Sequence, residues 1–128
     1  MTLVTAKKCI NKLLNKKFNN FVIFFGGEPF LNFSLMKKIE KYGRKAGLEI
    51  KYIAETNGTI MNDAIEEFIA EKFSSIGISL DGPKEINDRQ RYGNVSSVHD
   101  LAIMAIKRLK SKKISISVKC TATVSTPG

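Results

Sequence analysis

Three short stretches of the sequence hold residues whose types and spacing suit ligand chemistry: Gly26-Gly27-Glu28-Pro29, Glu55-Thr56-Asn57-Gly58-Thr59 and Ser79-Leu80-Asp81-Gly82-Pro83. In the first, a lone carboxylate follows two glycines. Glycines permit unusual φ and ψ values and bring backbone N–H and C=O groups close to a ligand, and Pro29 stiffens the exit. The spacing is not that of a dinucleotide fingerprint, and no Gly-Lys-Ser/Thr is present for a phosphate, which Glu28 would repel. Carbonyl oxygens and one carboxylate suit a cation instead, most simply an ammonium group, which needs acceptors and a balancing charge once desolvated. The competing reading is a tight turn whose Glu28 faces solvent.

The second stretch repeats the theme with an Asn-Gly turn and hydroxyls, and by itself reads as a turn. The third opens a segment, Asp81 to Ser96, read as a sixteen-residue loop carrying Asp88, Arg89 and Arg91. Loops of that length in a compact domain are usually functional or disordered. An arginine here can clamp a carboxylate with two donors, or simply pair with Asp88 or Glu85.

The elements that position these stretches can be read from hydrophobic pattern. Phe21 to Phe25, Glu49 to Ala54, Ser75 to Leu80 and Ile114 to Cys120 read as strands. The first is apolar on both faces, as for a strand covered on both sides, and the last alternates with Ile114, Ile116, Val118 and Cys120 on one face. Helical stripes lie between them: Val4, Ala6, Ile10, Leu13 and Leu14; Leu35, Met36, Ile39, Tyr42, Gly43 and Ala46; Ile65, Phe68 and Ile69; and Val98, Leu101, Ala102, Ala105, Ile106 and Leu109. Thr5, Asn32, Asn62 and Ser97 are the expected N-caps. Strand starts 26 to 39 residues apart have the rhythm of right-handed βα units. The predicted class is therefore α/β with parallel βα units, in an open sheet or part of a barrel, and both place ligand chemistry after the C-terminal ends of strands.

Composition narrows the remaining classes. At 128 residues with 43% hydrophobic content, the chain is long enough for one domain with its own core, and residues 1–128 are taken as one unit. It has no apolar run of membrane-spanning length and no secretory leader pattern, so a cytoplasmic, non-membrane protein is expected. Cys9 and Cys120 are too few and too far apart for a disulfide framework or a metal pair, and helical and strand spacing makes both expected core residues. The net charge of +9 would suit a nucleic acid, an acidic peptide or an anionic surface. The lysines, however, fall in scattered pairs (Lys7-Lys8, Lys16-Lys17, Lys37-Lys38, Lys112-Lys113) without interleaved aromatics, and read as solvated surface; no nucleic-acid partner is expected. His99, the only histidine, reads as a surface or capping residue.

FFGGEPFLNFSLMKKI, TNGT and ISLDGPKEINDRQR, in this order and spacing, closely resemble the S-adenosylmethionine radical enzymes, specifically the branch that matures peptides and sulfatases and often carries a C-terminal domain for auxiliary iron–sulfur clusters (SPASM-type). The resemblance implies a partial (β/α)6 TIM-like barrel. It also implies a [4Fe–4S] cluster that reduces S-adenosylmethionine to methionine and a 5′-deoxyadenosyl radical, which then abstracts hydrogen from a peptide or protein substrate. By the same resemblance, Gly26, Gly27, Glu28 and Pro29 form the loop that takes the methionine ammonium, with Glu28 a cofactor ligand and not a proton-transfer base. Ser79 matches the polar residue near the methionine carboxylate and ribose, Asn57 lies in the corresponding TNG loop, and Arg91 fits the arginine that follows a His-Asp pair whose His position holds Asn87 here.

One departure bears on the activity. The C-x-x-x-C-x-x-C cluster motif, which the family places upstream of the helix beginning near Thr5, does not occur in this sequence. The expectation is a fragment, without the first strand and its cluster loop and, since Thr126-Pro127-Gly128 comes before the remaining strands, without those as well. Such a fragment would be inactive alone, with its cluster ligands outside the chain. The alternative is a noncatalytic α/β peptide-binding module derived from the same fold. An open sheet edge beside Phe21 to Phe25 is expected to invite dimerisation.

Overall fold

The computed structural model describes residues 1–14 and 20–122. Lys16-Lys17 and Thr126-Pro127-Gly128 lie outside them. Four strands, β1 (Asn20–Phe24), β2 (Ile50–Thr56), β3 (Phe73–Ser79) and β4 (Ile116–Lys119), form one sheet in the order β1-β2-β3-β4 with every pairing parallel. Parallel neighbours need a crossover between them, and these are supplied by helices α2 (Phe33–Lys45), α3 (Asp63–Lys72) and α5 (Val98–Ser111). Helix α1 (Leu3–Asn11) precedes β1 and packs beside α2, where the Tyr42 hydroxyl donates to Asn11 Oδ1 at 2.7 Å.

All the crossovers cover one face of the sheet. Phe24, Tyr52, Ala54, Ile76 and Ile78 point into a core closed by Ala6 and Ile10 of α1, Met36 and Ile39 of α2, Ile65 and Ile69 of α3, and Ala102, Ala105 and Leu109 of α5. Burying each larger aliphatic side chain stabilises the fold by about 1.5–3 kcal/mol. Aromatic rings fill part of this core, with Phe73 against Phe24, Tyr52, Phe30 and Phe68 at centroid distances of 5.7 to 6.4 Å. Gly43 lets α2 lie close to the sheet, since a Cβ there would meet Tyr52 Oη at 2.7 Å and Ile50 Cδ1 at 2.8 Å. Burial, reinforced by nearby Glu40, pushes the Tyr52 hydroxyl up to about 12.

The other face is open, which corrects the expectation for β1. Phe21 and Ile23 are 52% and 56% exposed, because residues of alternating parity face away from the helices and nothing among the described residues covers them. Val118 and Cys120 are exposed for a different reason: Val118 lies beside the buried Ile78 on the helix side, but β4 is the edge strand and nothing among the described residues covers its end. Cys9 is exposed as well: α1 turns Ala6 and Ile10 inward and leaves the thiol outside. Across the open face Lys119 pairs with Glu55, passing over Gly77, where a Cβ would lie 3.3 Å from Glu55 Cγ and 3.4 Å from Lys119 Cε.

Capping follows the expected side chains for α3 and α5. Asn62 Oδ1 accepts from Ile65 N at 3.0 Å and Ser97 Oγ from Asp100 N at 3.0 Å. Asn32 precedes α2 without a side-chain cap bond, because a short 3-10 turn, Pro29–Asn32, leads directly into the helix. Helix α1 is capped by Thr2, not Thr5, with Thr2 Oγ1 accepting from Thr5 N at 3.2 Å.

The segment 81–96 is not a bare loop. Lys84–Gln90 form helix α4, which starts directly after Pro83, a residue unable to continue a strand. Asp88 ties α4 to α5 by accepting from the Ser97 hydroxyl at 2.7 Å and from His99 N at 2.8 Å. Those donors, the His99 backbone N–H first, hold its carboxyl down at about 2. A group whose folded pKa is depressed contributes stability above its unfolded pKa, near 3.9, and loses it as pH falls through the folded value. Asp88→Asn should therefore be less stable than the parent chain at neutral pH, with the gap closing between about pH 4 and pH 2. Thermal unfolding followed by circular dichroism across that range checks this; a gap independent of pH would remove the charge of Asp88 from the joint.

Candidate functional site

Parallel pairing puts the C-terminal ends of all four strands along one edge of the sheet, and the three stretches singled out in the sequence meet there. After β1 the chain turns through Gly26 at φ +94° and Gly27 at φ +47°, conformations that L side chains rarely adopt. A Cβ at either position would meet nothing within 4 Å, so the backbone of this turn faces open space. Pro29 then starts the 3-10 turn with the φ that turn needs, and Glu28 caps it, Oε1 accepting from Phe30 N at 3.2 Å.

The Glu28 carboxylate does not face solvent as a free group. Thr56 Oγ1 donates to it, 2.8 Å from Oε1 and 2.9 Å from Oε2, and Asn57 N donates to Oε2 at 2.9 Å. Thr56 is 2% exposed, and its oxygen in turn accepts from Gly58 N at 3.0 Å. One carboxylate thereby joins the end of β1 to the end of β2. Asn57 is held by its own turn, with Oδ1 accepting from Thr59 N at 2.9 Å and Thr59 Oγ1 at 2.7 Å.

Arg91 lies at the C-terminal end of α4 and reaches back to the end of β3. Its Nε sits 2.6 Å from Asp81 Oδ2 and its Nη2 donates to Asp81 Oδ1 at 2.9 Å. This side-on pairing replaces the expected partners Asp88 and Glu85, because α4 carries Arg91 over the strand end. Asp81 also accepts from Thr121 N at 2.8 Å, tying in the segment after β4. The arginine contact, opposed by burial and helped by Thr121 N, holds the Asp81 carboxyl below the usual carboxylate range. Asn87, fully buried, accepts from Asp81 N at 2.9 Å and fixes the same turn from the other side.

The predicted residues thus fall into groups. Gly26, Glu28 and Pro29 line a cleft of about 260 Å³ with Phe24, Leu31 and Met36. Asn57 and Arg91 line a second, of about 350 Å³, with Tyr92, Asn94 and Val95. Glu28 connects to Asn57 through the backbone hydrogen bond, while Ser79 stands between the groups at the end of β3, in register with Lys119. Sequence reasoning passed over Thr56, Asp81 and Thr121. A threonine that ends a strand directly before Asn-Gly was the available signal for Thr56; Thr121 gave none, since its role depends on strand order.

The two groups implied by the resemblance, an ammonium and a [4Fe–4S] cluster, differ in how well the residues here suit them. An ammonium group finds a suitable environment here: a fixed carboxylate, a positive-φ backbone turn with open space above it, and nearby polar side chains. A [4Fe–4S] cluster does not. The only two cysteines, Cys9 and Cys120, lie on α1 and after β4, and among the described residues no group of three or more His, Cys, Asp or Glu could hold a metal ion. No helix of the described residues is long and apolar enough to cross a membrane.

Comparison with known proteins agrees with the fold and the motifs. An uncharacterized protein of Methanocaldococcus jannaschii is 39% identical over 128 residues, covering 96% of this chain and 44% of the relative. A cysteine-type anaerobic sulfatase-maturating enzyme of Clostridium perfringens is 28% identical, over 80% of this chain and 29% of its own length. The solved structure of native anSMEcpe with bound AdoMet superposes with a TM-score of 0.83 at 28% identity, covering 94% of this chain and 35% of that one. The chain therefore spans less than half the length of these relatives, and its four βα-connected strands form part of a TIM-like barrel. The Radical SAM superfamily model matches residues 2–128, and the chain belongs to that superfamily.

Proposed function

We propose that this chain is the S-adenosylmethionine-binding core of a cytoplasmic radical enzyme that modifies a peptide or protein. The observation carrying the proposal is the Glu28 carboxylate, fixed by Thr56 and Asn57 beside the open Gly26-Gly27 turn at the C-terminal edge of a parallel sheet. In this reading the backbone of Gly26 and Gly27 and the carboxylate of Glu28 accept from the methionyl ammonium, with Pro29 fixing the turn. Asn57, Ser79 and Arg91 serve the carboxylate and ribose end. Arg91 stays oriented by Asp81, so its approach to a ligand is set before binding.

S-adenosylmethionine supplies a 5′-deoxyadenosyl radical when reduced by a [4Fe–4S] cluster. Because the cysteines present do not fit that cluster, its ligands are proposed to lie outside these 128 residues. A peptide substrate is supported by the relative anSMEcpe, solved with AdoMet and the Kp18Cys peptide, at a TM-score of 0.84. Self-association is part of the proposal too: β1 is an edge strand with Phe21 and Ile23 exposed, and such an edge favours pairing with a second copy.

Glu28→Gln should weaken S-adenosylmethionine binding by about 1–3 kcal/mol, the usual cost of a lost charged hydrogen-bond partner, in a calorimetric titration. Unchanged affinity would take Glu28 out of the site. Anaerobic reconstitution of the chain alone should yield no stoichiometric iron, whereas bound iron with a cluster absorption band would contradict the ligand assignment. Peptide binding that is indifferent to S-adenosylmethionine would favour the noncatalytic module. Light scattering should show mass rising with concentration; a monomer throughout would count against edge pairing.

A further inference from the structure

Charge is distributed very unevenly along this sequence. Ten of the 21 basic residues but only two of the 12 acidic ones fall within the first 48 positions, so this stretch carries +8 of the net +9. The two acidic residues there are both engaged. Glu28 is held by the loops after β1 and β2, and Glu40, 8% exposed, faces Arg44 at 3.2 Å.

The fold gathers seven of these ten basic residues onto one surface. Helix α1 turns Ala6 and Ile10 inward and leaves Lys7, Lys8 and Lys12 outside; α2 buries Met36, Ile39 and Gly43 and leaves Lys37, Lys38, Lys41 and Lys45 outside. The helices lie side by side, joined by the Tyr42–Asn11 hydrogen bond and by Lys7, whose Nζ stands 5.0 Å above the Tyr42 ring. Two of the lysine pairs that look scattered in sequence, Lys7-Lys8 and Lys37-Lys38, thus share one basic face with Lys12, Lys41 and Lys45, and its helices expose no carboxylate. Such a field steers and retains partners of opposite charge.

We infer that the outer face of α1 and α2 docks the acidic surface of a partner protein. A nucleic-acid role fits the same face poorly. The aromatic rings of α2 cannot stack on bases, since Lys7 covers Tyr42 and Lys37 covers Phe33 at 4.8 Å. The seven lysines are point charges without the planar fork that reads bases and phosphates bidentately, and the one arginine of these helices, Arg44, is turned to Glu40, whereas ammonium groups at helical spacing match carboxylates spread over a protein surface. A membrane role would need a group of apolar anchors beside the lysines, and the only large apolar side chain that these two helices leave exposed is Val4. The inference does not depend on the cofactor site, which lies at the strand ends.

A fluorescent polyglutamate peptide serves as the probe, with anisotropy read at several salt concentrations. The full chain should bind it, and the triple variant Lys38→Glu, Lys41→Glu, Lys45→Glu should raise Kd about tenfold or more. The variant Lys107→Glu, Lys110→Glu, Lys112→Glu, with the same net charge and equally exposed positions, should change Kd less than about twofold. Circular dichroism confirms that both variants fold. Equal losses in the two variants would reduce the effect to bulk charge and overturn the inference. Tighter binding of mixed-sequence duplex DNA, of RNA or of phosphatidylserine vesicles through the α2 lysines would overturn it in favour of those partners.

Discussion

Parallel pairing is the constraint on which the rest of this molecule depends. Neighbouring parallel strands cannot be joined by a hairpin, so each of β1, β2 and β3 must be followed by a crossover that returns the chain to the starting edge. Right-handed crossovers put the helices on one side, and a single core forms between them and the sheet. Two consequences follow without further design. All strand C-termini share one edge, so residues as distant in sequence as Glu28, Asp81 and Thr121 come to lie along it. The face away from the helices stays open, and its residues need no apolar partner, which is why Glu55 and Lys119 can pair there over Gly77.

At the site edge, order comes from charged groups that brace loops. Glu28 accepts from Phe30, Thr56 and Asn57, and Asp81 from Arg91 and Thr121. Each carboxylate bridges segments that follow different strands, so displacing one loop disturbs its neighbour. Preorganised polar groups of this kind lower the cost of orienting a ligand, because the protein has already paid for their alignment. The single proton of the Thr56 hydroxyl serves one Glu28 oxygen at a time, and in the proposed function this leaves the other with capacity to accept from an ammonium group.

Much of this was legible in the sequence. The alternation of short apolar runs with 3.6-residue stripes is the direct imprint of a sheet covered by helices, and all four strands and the four long helices fall where that pattern puts them. The glycines at 26 and 27 announced a backbone turn no other residue makes easily, and Asn62 and Ser97 announced helix starts through chemistry local to three residues. The failures share one origin. Helix α4 was hidden because seven residues with one apolar side chain give no periodic signal. Cys9, Val118 and Cys120 were placed inside because periodicity tells which residues share a face, but not which faces another element will cover.

The sequence alone therefore determined the alternation of strands and helices, the turn at Gly26 and Gly27, and the residue types offered to a ligand, since each depends on interactions within a few positions. Only the tertiary structure decided that Glu28 is held by Thr56, that Arg91 chooses Asp81 over Asp88, and that the lysines of α1 and α2 share one basic face. Those outcomes are set by strand order and helix packing, which bring together groups between 10 and 38 positions apart whose mutual distance no local pattern encodes.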